Sequence, residues 1–510
     1  MVPPMTSIPF VPASRPNWHG QYVIGPADRV LPDGFERIDL GRFAVGAAAG
    51  LPHVPIQDRS GAVRGVVLGW LADPQRQVME TDRLEIHGDR IRPDWSDVEA
   101  ALYRFAGSWI AVLVDPKPDP SASASAAGVA SARVYLDADG TLPLVVDPET
   151  GAAASSAGLL FGRDRYVADF DDELYRHLDV RREGWFTAGL TAHRSLRRVL
   201  CNHYLDLDAG RSVRHWPTAP VGTTDDPVAA TAALMAHTAG VVSAVQRSHR
   251  PVSSLTAGNE TRFLLASCHD SIDDLAFFTI APERGASLDV HTAVAMASRF
   301  GLDHRVLSTV HATAAEEAEW LYLGGHCVSG PNPVAHPTLR GLSDRDVLLT
   351  GLGGEIGRAF LWRKTDAADT PIDAAGINSR LGLPPHDRVI AAIDEWMTTL
   401  PDGDSHFLLD MAYLELRMSA WAYANPFGSG KEILHIAPMI GRASYDLMLS
   451  LPEEWKRNTR FIASSMTQGW PELAEFPINR WGDRRDVTQR IRQAAAEPHL
   501  IAKKLRKLMR

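Results

Sequence analysis

One short segment, between an apolar run and a helical pattern, combines small, hydroxyl-bearing and acidic residues. Ala257 and Gly258 leave room for backbone N–H groups to approach an anion, and a helix that begins here would present its positive end. Thr256 and Thr261 can donate hydroxyl hydrogen bonds to phosphate oxygens, and Glu260 can hold a metal ion against them. Taken alone, the segment is more typical of a purely structural strand–turn–helix joint.

A second segment of the same kind follows a later apolar run. It contains Gly351, Gly353 and Gly354, and it ends with Glu355 three residues before Arg358. In a parallel sheet both loops would lie at the carboxyl ends of strands, where such folds bind ligands. Two glycine-rich turns that each carry one glutamate therefore predict a Mg²⁺ ion held between polyphosphate and protein. The alternative is two close-packed turns with a surface ion pair between the glutamate and the arginine.

The elements around these turns alternate between strand-like and helix-like patterns. Apolar residues at helical spacing predict helices, and short β-rich apolar runs predict buried strands. Such alternation implies βαβ units and a parallel sheet with helices on both faces. In chain order the predicted elements are helix 226–250, strand 252–255, helix 261–268, strand 275–280, helix 288–300, strand 304–307, strand 346–349 and helix 407–423.

The first half of the chain has a mostly-β pattern instead. Short alternating runs are separated by turn signals, and the Asp139-Gly140 pair predicts a hairpin between the last two runs. A Ser-, Ala- and Gly-rich piece at 121–132 predicts a mobile loop. The predicted strands are 53–57, 63–70, 108–115, 133–136 and 142–146.

Composition excludes several functional classes. Of the 510 residues, 62 are acidic and 52 basic, which gives a net charge of −10 and argues against a nucleic-acid-binding protein. Three scattered cysteines exclude a disulfide scaffold and a zinc ribbon and fit a reducing cytoplasm. Because no apolar stretch approaches about 18 residues, we expect a soluble cytoplasmic protein without membrane insertion. The basic tail at 503–510 fits a solvated helix end, with a membrane-surface or partner contact as the alternative.

In motif order and spacing, the chain resembles the asparagine synthetase family, whose synthetase domain is an ATP-pyrophosphatase fold. Residues 256–261 match the family's Ser-Gly-Gly-x-Asp-Ser pyrophosphate loop, and residues 351–356 match its Gly-x-Gly-x-Asp-Glu loop. Residues 437–442 resemble a later turn of the family, and Lys456 stands where the family presents its catalytic lysine. The resemblance spans about residues 40–480, and each motif is degenerate.

The resemblance implies two domains and an α/β fold class overall. Residues 1–222 resemble a class II glutamine amidotransferase domain, a mostly-β Ntn-hydrolase-like sandwich. Residues 223–510 resemble a doubly wound parallel-sheet ATP-pyrophosphatase domain with a helical C-terminal part. A working glutaminase of this class uses an N-terminal cysteine, whereas this chain begins Met1-Val2-Pro3 and has its first cysteine at Cys201. We therefore expect no glutamine hydrolysis and a scaffold or substrate-wall role for the first domain.

The departures from the family motifs bear on whether the site is catalytically active. In both loops a glutamate, Glu260 or Glu355, replaces the family aspartate, which keeps the charge on an arm one methylene longer. Ile356 replaces the second acid of the second loop, and Gly441 replaces the aspartate of the later turn. Thr261 retains the hydroxyl of the family serine. We interpret the two glutamates as a retained metal site, with a decayed site as the alternative.

By resemblance, the chain is an ATP- and Mg²⁺-dependent amide-forming ligase of the AMP-forming type. It would adenylate a small-molecule or peptide carboxylate and transfer the acyl group to ammonia or an amine. A lactam- or macrolactam-forming cyclase and a non-catalytic nucleotide-binding scaffold are the alternatives, and a homodimer is left open. Glu260 and Glu355 would hold the metal and act in catalysis together with Lys456. The expected nucleotide-binding residues are Leu255, Thr256, Ala257, Gly258, Asn259, Thr261, Arg262, Ile280, Gly351, Gly353 and Gly354.

Overall fold

The computed structural model describes most of the chain and shows a mixed α/β protein with several sheets. The described residues are 16–58, 60–86, 95–114, 132–182, 184–282, 287–327, 332–343, 346–422, 434–482, 484 and 486. The predicted loop at 121–132, except for its last residue, and the predicted helix end at 503–510 lie outside these ranges.

Strands of the first half form two sheets that are antiparallel except where β4 meets β7. The six-stranded sheet has the order β12-β10-β11-β1-β3-β2, and the larger sheet has the order β14-β13-β9-β8-β5-β4-β7, with β6 beside β5. The strands are β1 Tyr22–Pro26, β2 Glu36–Leu40, β3 Phe43–Ala47, β4 His53–Gln57, β5 Val63–Asp73, β6 Val78–Glu80, β7 Leu84–Glu85, β8 Ala106–Val114, β9 Ala132–Leu136, β10 Val145–Asp147, β11 Ala152–Ala154, β12 Arg197–Arg198, β13 His203–Asp206 and β14 Arg211–Arg214.

One apolar core joins the two sheets. Tyr22 and Ile24 of the six-stranded sheet belong to the same buried cluster as Leu68, Ile110 and Val134 of the larger sheet. Alternate residues of several strands from both sheets face this core, so the sheets pack face to face. In the part of this half that the structure describes, four short helices accompany the sheets: α1 Trp95–Tyr103, α2 Ala157–Leu160, α3 Arg163–Asp169 and α4 Asp172–His177.

The predicted hairpin at Asp139-Gly140 is wrong. Strand β9 lies in the larger sheet and β10 in the six-stranded one, so the connection crosses between sheets. Asp137 fixes this crossing, because its carboxylate accepts hydrogen bonds from the backbone N–H groups of Trp109, Asp139 and Thr141. A carboxylate that organises a local turn replaces the two-residue hairpin that the Asp-Gly pair suggested.

The second half is built on a five-stranded parallel sheet with the order β17-β16-β15-β18-β19. Its strands are β15 Arg250–Ser254, β16 Ala276–Ala281, β17 Asp303–Ser308, β18 Asp346–Leu349 and β19 Leu434–Ile436. Helix 288–300 and strand 346–349 have their predicted bounds, and the other predicted strands of this sheet differ by one or two residues at each end. The strand order reverses between β15 and β18, which creates a topological switch point there.

Helices pack around this sheet and dominate the chain after it, as predicted. A π-helical turn, Tyr413–Met418, interrupts the helix predicted at 407–423. The α-helices are α5 Pro227–Gln246, α6 Asn259–Ser267, α7 Leu288–Phe300, α8 Ala314–Leu323, α9 Asn332–Ala335, α10 Ala374–Leu381, α11 Asp387–Met397, α12 Ser405–Ala412, α13 Ser419–Ala422, α14 Arg442–Leu449, α15 Glu453–Arg457 and α16 Arg460–Gly469. The 3₁₀ helices among the described residues are His269–Asp274, His336–Gly341, Gly354–Arg358 and Pro471–Glu475.

Helix α5 joins the two halves. It is long and apolar enough to cross a membrane by length and composition alone, and half of its most apolar stretch is buried inside the protein. Asp226 caps its first turn by accepting a hydrogen bond from Ala229 N. At Gly240 the helix backbone lies so close to the first half that an added Cβ would stand 2.1 Å from the carbonyl oxygen of Pro74. Its packing is that of a core helix.

The predicted boundary at residue 222 stays a prediction. The last strand of the larger antiparallel sheet ends at Arg214, and helix α5 begins at Pro227. The predicted boundary therefore falls within the connection between these two elements.

Candidate functional site

The two glycine-rich turns leave the sheet side by side. Strands β15 and β18 pair in parallel, with Ser253 opposite Leu349, so the loops that follow them start at the same edge. This edge is the switch point of the sheet, where doubly wound folds bind ligands. The prediction that both turns lie at the carboxyl ends of parallel strands is confirmed, and the structure shows that these two strands are neighbours.

Glu260 and Glu355 face each other across the switch point. Arg358 Nη2 lies 2.5 Å from Glu260 Oε1 and 3.4 Å from Glu355 Oε1, so one guanidinium group serves both carboxylates. The glycines make this approach feasible, because an added Cβ at Gly351 would stand 2.8 Å from Glu260 Cβ. Gly353 has φ of +107°, a conformation that L side chains rarely adopt. The pair between Glu355 and Arg358 from the alternative interpretation is also present, but it is part of a larger cluster.

The electrostatics of the cluster suit a cation. Burial raises the pKa of Glu355, the negative charge of Glu260 raises it further, and Arg358 opposes both. Glu355 Oε2 is buried and has no hydrogen-bond partner among the described residues. Two carboxylates complete a Mg²⁺ site when phosphate oxygens and waters supply the other ligands. Within the described ranges no group of three or more His, Cys, Asp or Glu side chains is arranged to hold a metal alone.

The first turn is shaped by hydroxyl groups and by one carboxylate from a distant helix. The Thr256 and Thr261 hydroxyls lie 2.8 Å apart, and Thr256 Oγ1 accepts a hydrogen bond from Gly258 N. Helix α6 begins at Asn259 without a side-chain cap, which leaves its first N–H groups for an anion. Asp289 Oδ1 accepts from Ala257 N at 2.8 Å, a contact that the sequence did not reveal.

Arg262 supports the first turn from inside the protein. It is fully buried, and its guanidinium donates to the carbonyl oxygens of Thr256 and Pro477. Burial lowers its pKa to about 10. None of its described contacts is with Glu260 or Glu355, so its observed contacts fit a loop-positioning role, and phosphate binding by Arg262 stays a prediction. Leu255 is also buried, beneath the same turn.

The structure ties Lys456 to a different partner. Its Nζ lies 2.7 Å from Asp410 Oδ2 and 2.9 Å from the Leu449 carbonyl oxygen, and its side chain is 5 % exposed. The described contacts therefore place Lys456 in a buried ion pair with Asp410. Its ammonium group also lies over the Trp362 ring, 5.6 Å from the ring centre. These contacts do not bring it to the two glutamates, and its catalytic role stays a prediction.

The first cysteine of the chain is also enclosed. Cys201 is completely buried, and burial raises the pKa of its thiol well above the usual value, with Glu415 and Asp139 adding to the effect. The thiol is therefore protonated at neutral pH and does not have the thiolate character of a nucleophile.

A buried ion pair links the two halves of the chain beside Cys201. Arg214 donates to both carboxylate oxygens of Glu415 at 2.7 Å, and Asn202 and Trp396 donate to the same carboxylate. Burial alone would raise the pKa of Glu415, but Arg214 holds it below its usual value. Sequence reasoning missed this pair because its members are 201 residues apart.

A cavity of about 240 Å³ adjoins the second turn. Thr350 and Leu352 of that turn form part of its wall, and Ser108 and Thr141 of the first half close it on another side. Ile280, predicted to contact nucleotide, also lines it. The remaining lining residues are Trp320, Asn332, Ala335, His336, Leu339, Leu348, His435 and Ala437.

The geometry brings together most of the predicted site. Both glutamates, the two threonines and the glycine turns lie at one edge of the parallel sheet, with a cavity beside them. Arg262 instead contacts the Thr256 carbonyl oxygen, and Lys456 contacts Asp410, both inside the protein. Comparison of the sequence with protein-family models finds no match, and comparison with curated proteins finds none.

Proposed function

We propose that the protein is an ATP- and Mg²⁺-dependent amide-forming ligase that adenylates a carboxylate and transfers the acyl group to ammonia or an amine. One observation carries this proposal: Glu260 and Glu355, from two loops at the switch point, converge on the same cation, Arg358. Opposed acids next to an uncapped helix N-terminus suit a polyphosphate bound together with a divalent ion.

The reaction has two displacement steps. A carboxylate oxygen attacks the α-phosphorus of ATP, the new P–O bond forms, and the bond to pyrophosphate breaks. The amine nitrogen then attacks the acyl carbon, a C–N bond forms, the C–O bond to AMP breaks, and the nitrogen loses a proton. The protein contributes alignment and charge stabilisation to both steps.

Each residue of the cluster has a part in the proposal. The hydroxyls of Thr256 and Thr261 and the first N–H groups of helix α6 would bind the pyrophosphate oxygens. Glu260 and Glu355 would hold Mg²⁺, which when bound neutralises charge on the polyphosphate. The partnerless Oε2 of Glu355 fits such a role, and Arg358 provides the neutralising charge for the two acids in the free protein.

The architecture supports the finer fold assignment that we also propose. Two face-to-face sheets in the first half fit an Ntn-hydrolase-like domain within residues 1–222. The five-stranded parallel sheet with its switch point fits an ATP-pyrophosphatase domain within residues 223–510. On this basis we propose membership of the asparagine synthetase family and a cytoplasmic location. A cyclase that closes a lactam within one substrate uses the same chemistry.

A second candidate is a nucleotide-binding scaffold without turnover. Three observations favour it: Ile356 is buried where the family has its second acid, Lys456 is held by Asp410, and Asp289 occupies an N–H group of the first turn. Under this proposal nucleotide binding would persist without adenylation.

Exchange of labelled pyrophosphate into ATP, measured over a panel of carboxylic acids, tests the ligase proposal. We expect carboxylate-dependent exchange in the wild type and its loss in Glu355→Gln, because the variant lacks one of the opposed charges. Glu453→Gln is the matched control, since Glu453 lies in an exposed ion pair with Arg457. Absence of exchange with every acid, from folded protein that binds Mg·ATP, would favour the scaffold.

A further inference from the structure

We propose that the cavity beside the second turn holds the apolar body of the carboxylate substrate, so that the enzyme activates a small, predominantly apolar carboxylic acid. This inference rests on the proposed ligase function and specifies its substrate class. It also gives the first half of the chain a direct part in substrate recognition.

The position of the cavity favours the acyl substrate over the nucleoside. The pyrophosphate loop follows β15, and the cavity lies mainly on the other side of the switch point, over β18 and β19. Leu348 and Thr350 belong to β18 and the turn after it, and His435 and Ala437 belong to β19 and the residue after it. Of β16, on the opposite side of β15, only Ile280 reaches the cavity among the described residues. A nucleoside over β15 and β16 would contact Ile280 at the edge of this volume and would leave the part over β18 and β19 for the second substrate.

The lining of the cavity selects against a second charge. Its wall contains Trp320, Leu339, Leu348 and Leu352, and no Lys, Arg, Asp or Glu side chain is among its described lining residues. Burial lowers the pKa of His435 to about 4, so this ring is neutral at physiological pH. An additional carboxylate or ammonium group placed here would be desolvated without an ion-pair partner, which is strongly unfavourable.

One residue of the wall has a buried polar atom without a protein partner. His435 Nε2 is buried and has no hydrogen-bond partner among the described residues. The backbone of His435 is fixed, because its carbonyl oxygen accepts a hydrogen bond from Ser108 Oγ at 2.9 Å. Because Thr141, Asn332 and Thr350 also line the cavity, an apolar acid that carries neutral hydrogen-bonding groups complements it as well.

The size of the cavity limits the substrate further. Its volume of about 240 Å³ lies below the roughly 300–1,000 Å³ of pockets for drug-sized ligands. It therefore accommodates one ring or a short alkyl body at a time. Ser108 and Thr141 close it from the first half of the chain, so both halves together set this limit.

Titration of the full-length protein with matched acids, without nucleotide, tests the inference. The probes are 3-phenylpropionate and hexanoate against succinate and aspartate, followed by calorimetry or ligand-observed NMR. We expect the apolar acids to bind at least tenfold more tightly than the dicarboxylates. Ala335→Phe, which fills the cavity from its wall, should weaken 3-phenylpropionate binding at least tenfold, and Ala437→Val should weaken it less. Ala391→Phe, at an exposed position of helix α11, is the matched control.

Mg·ATP titration of the same variants separates the nucleoside from the acyl group. Retained Mg·ATP affinity in Ala335→Phe, with loss of acid binding, supports the inference. Loss of Mg·ATP affinity with unchanged acid binding would assign the cavity to the nucleoside and overturn it, as would tighter binding of succinate or aspartate. Binding of apolar acids in the cavity without any pyrophosphate exchange would count against the ligase function and leave the cavity assignment supported.

Discussion

Arg358, the last residue of a 3₁₀ helix, and Glu260, in the first turn of helix α6, meet at the edge of the parallel sheet, with Nη2 and Oε1 2.5 Å apart. The same guanidinium nitrogen lies 3.4 Å from Glu355, so one cation balances two opposed acids. Each of the three side chains is about one-fifth exposed. Since a divalent ion would neutralise the acids more completely than one guanidinium group, the cluster should respond to Mg²⁺.

Removal of the guanidinium should make the fold depend on Mg²⁺. In Arg358→Ala the two glutamates would face each other without a counter-charge, and we expect the free energy of unfolding to fall by about 2 kcal/mol. This is less than the ~3–5 kcal/mol for a fully buried pair, because the side chains keep some exposure. Urea denaturation with and without Mg²⁺ measures the effect, and Mg²⁺ should restore more stability in the variant than in the wild type.

The matched control for this variant is Arg460→Ala, which removes an exposed pair with Glu454. It should change stability by less than about 1 kcal/mol and show no Mg²⁺ response. If Mg²⁺ changed the unfolding free energy of the two variants by the same amount, the glutamates would not form a metal site.

Close packing of the two turns makes Gly351 sensitive to a single methyl group. Gly351→Ala would put a Cβ 2.8 Å from Glu260 Cβ, so Glu260 or the turn must move. We expect Mg·ATP affinity to fall at least about tenfold, equivalent to about 1.4 kcal/mol, with little change in unfolding free energy. Calorimetric titration checks this. Gly222→Ala, where an added Cβ meets no atom within 4 Å, should bind like the wild type.

The ion pair between Arg214 and Glu415 should be a main stabiliser of the contact between the two halves. Arg214→Ala leaves a completely buried carboxylate without its cation, which costs about 3–5 kcal/mol. In chemical denaturation, the variant should therefore unfold at a lower denaturant concentration than the wild type. Arg37→Ala, which breaks an exposed pair with Asp39, should cost no more than about 1 kcal/mol. If both variants lost the same small amount, the buried pair would not contribute as described.

Buried histidines predict a loss of stability in mild acid. Burial lowers the pKa of His193, His203, His237 and His435 to about 4, and that of His326 to about 3. The unfolded chain takes up these protons near pH 6.5, before the folded protein does. Stability is therefore full above about pH 6.5 and falls as the pH decreases toward 4, by up to about 1.4 kcal/mol per pH unit for each histidine.

Urea midpoints measured between neutral and mildly acidic pH test this dependence. His237→Leu should reduce the slope, because burial is the cause of the lowered pKa at that position. If the urea midpoint did not change with pH in the range above the pKa values of the carboxylates, the assignment of these histidines as buried and neutral would be wrong.

Local patterns predicted the parallel sheet and its loops well. Helix 288–300 has apolar residues at helical spacing, and in the structure Ser287 caps its start and Gly301 ends it. Strand 346–349 corresponds to a buried run of four residues. The convergence of Glu260 and Glu355 was also within reach, because loops after parallel strands must meet at one edge.

Contacts between distant residues explain what sequence reasoning missed. Asp289 reaches Ala257 across 32 residues, and Lys456 finds Asp410 across 46, so neither partnership leaves a local pattern. The hairpin prediction at Asp139-Gly140 failed because the Asp137 carboxylate accepts hydrogen bonds from the backbone N–H groups of Trp109, 28 residues away, and of Thr141, and the chain crosses to another sheet. The spacing of apolar residues predicts the helices and strands. The hydrogen-bond and ion-pair partners of polar side chains depend on how those helices and strands pack.

Calorimetric titration of the wild type, Glu260→Ala and Glu355→Ala with ATP, in the presence and absence of Mg²⁺, is the decisive test of the proposed Mg·ATP site. We predict a Mg²⁺-dependent binding signal in the wild type that either substitution reduces at least tenfold, while both variants keep the wild-type fold. ATP binding that is independent of Mg²⁺ and of both glutamates, or no binding at all to the folded wild type, would contradict the account.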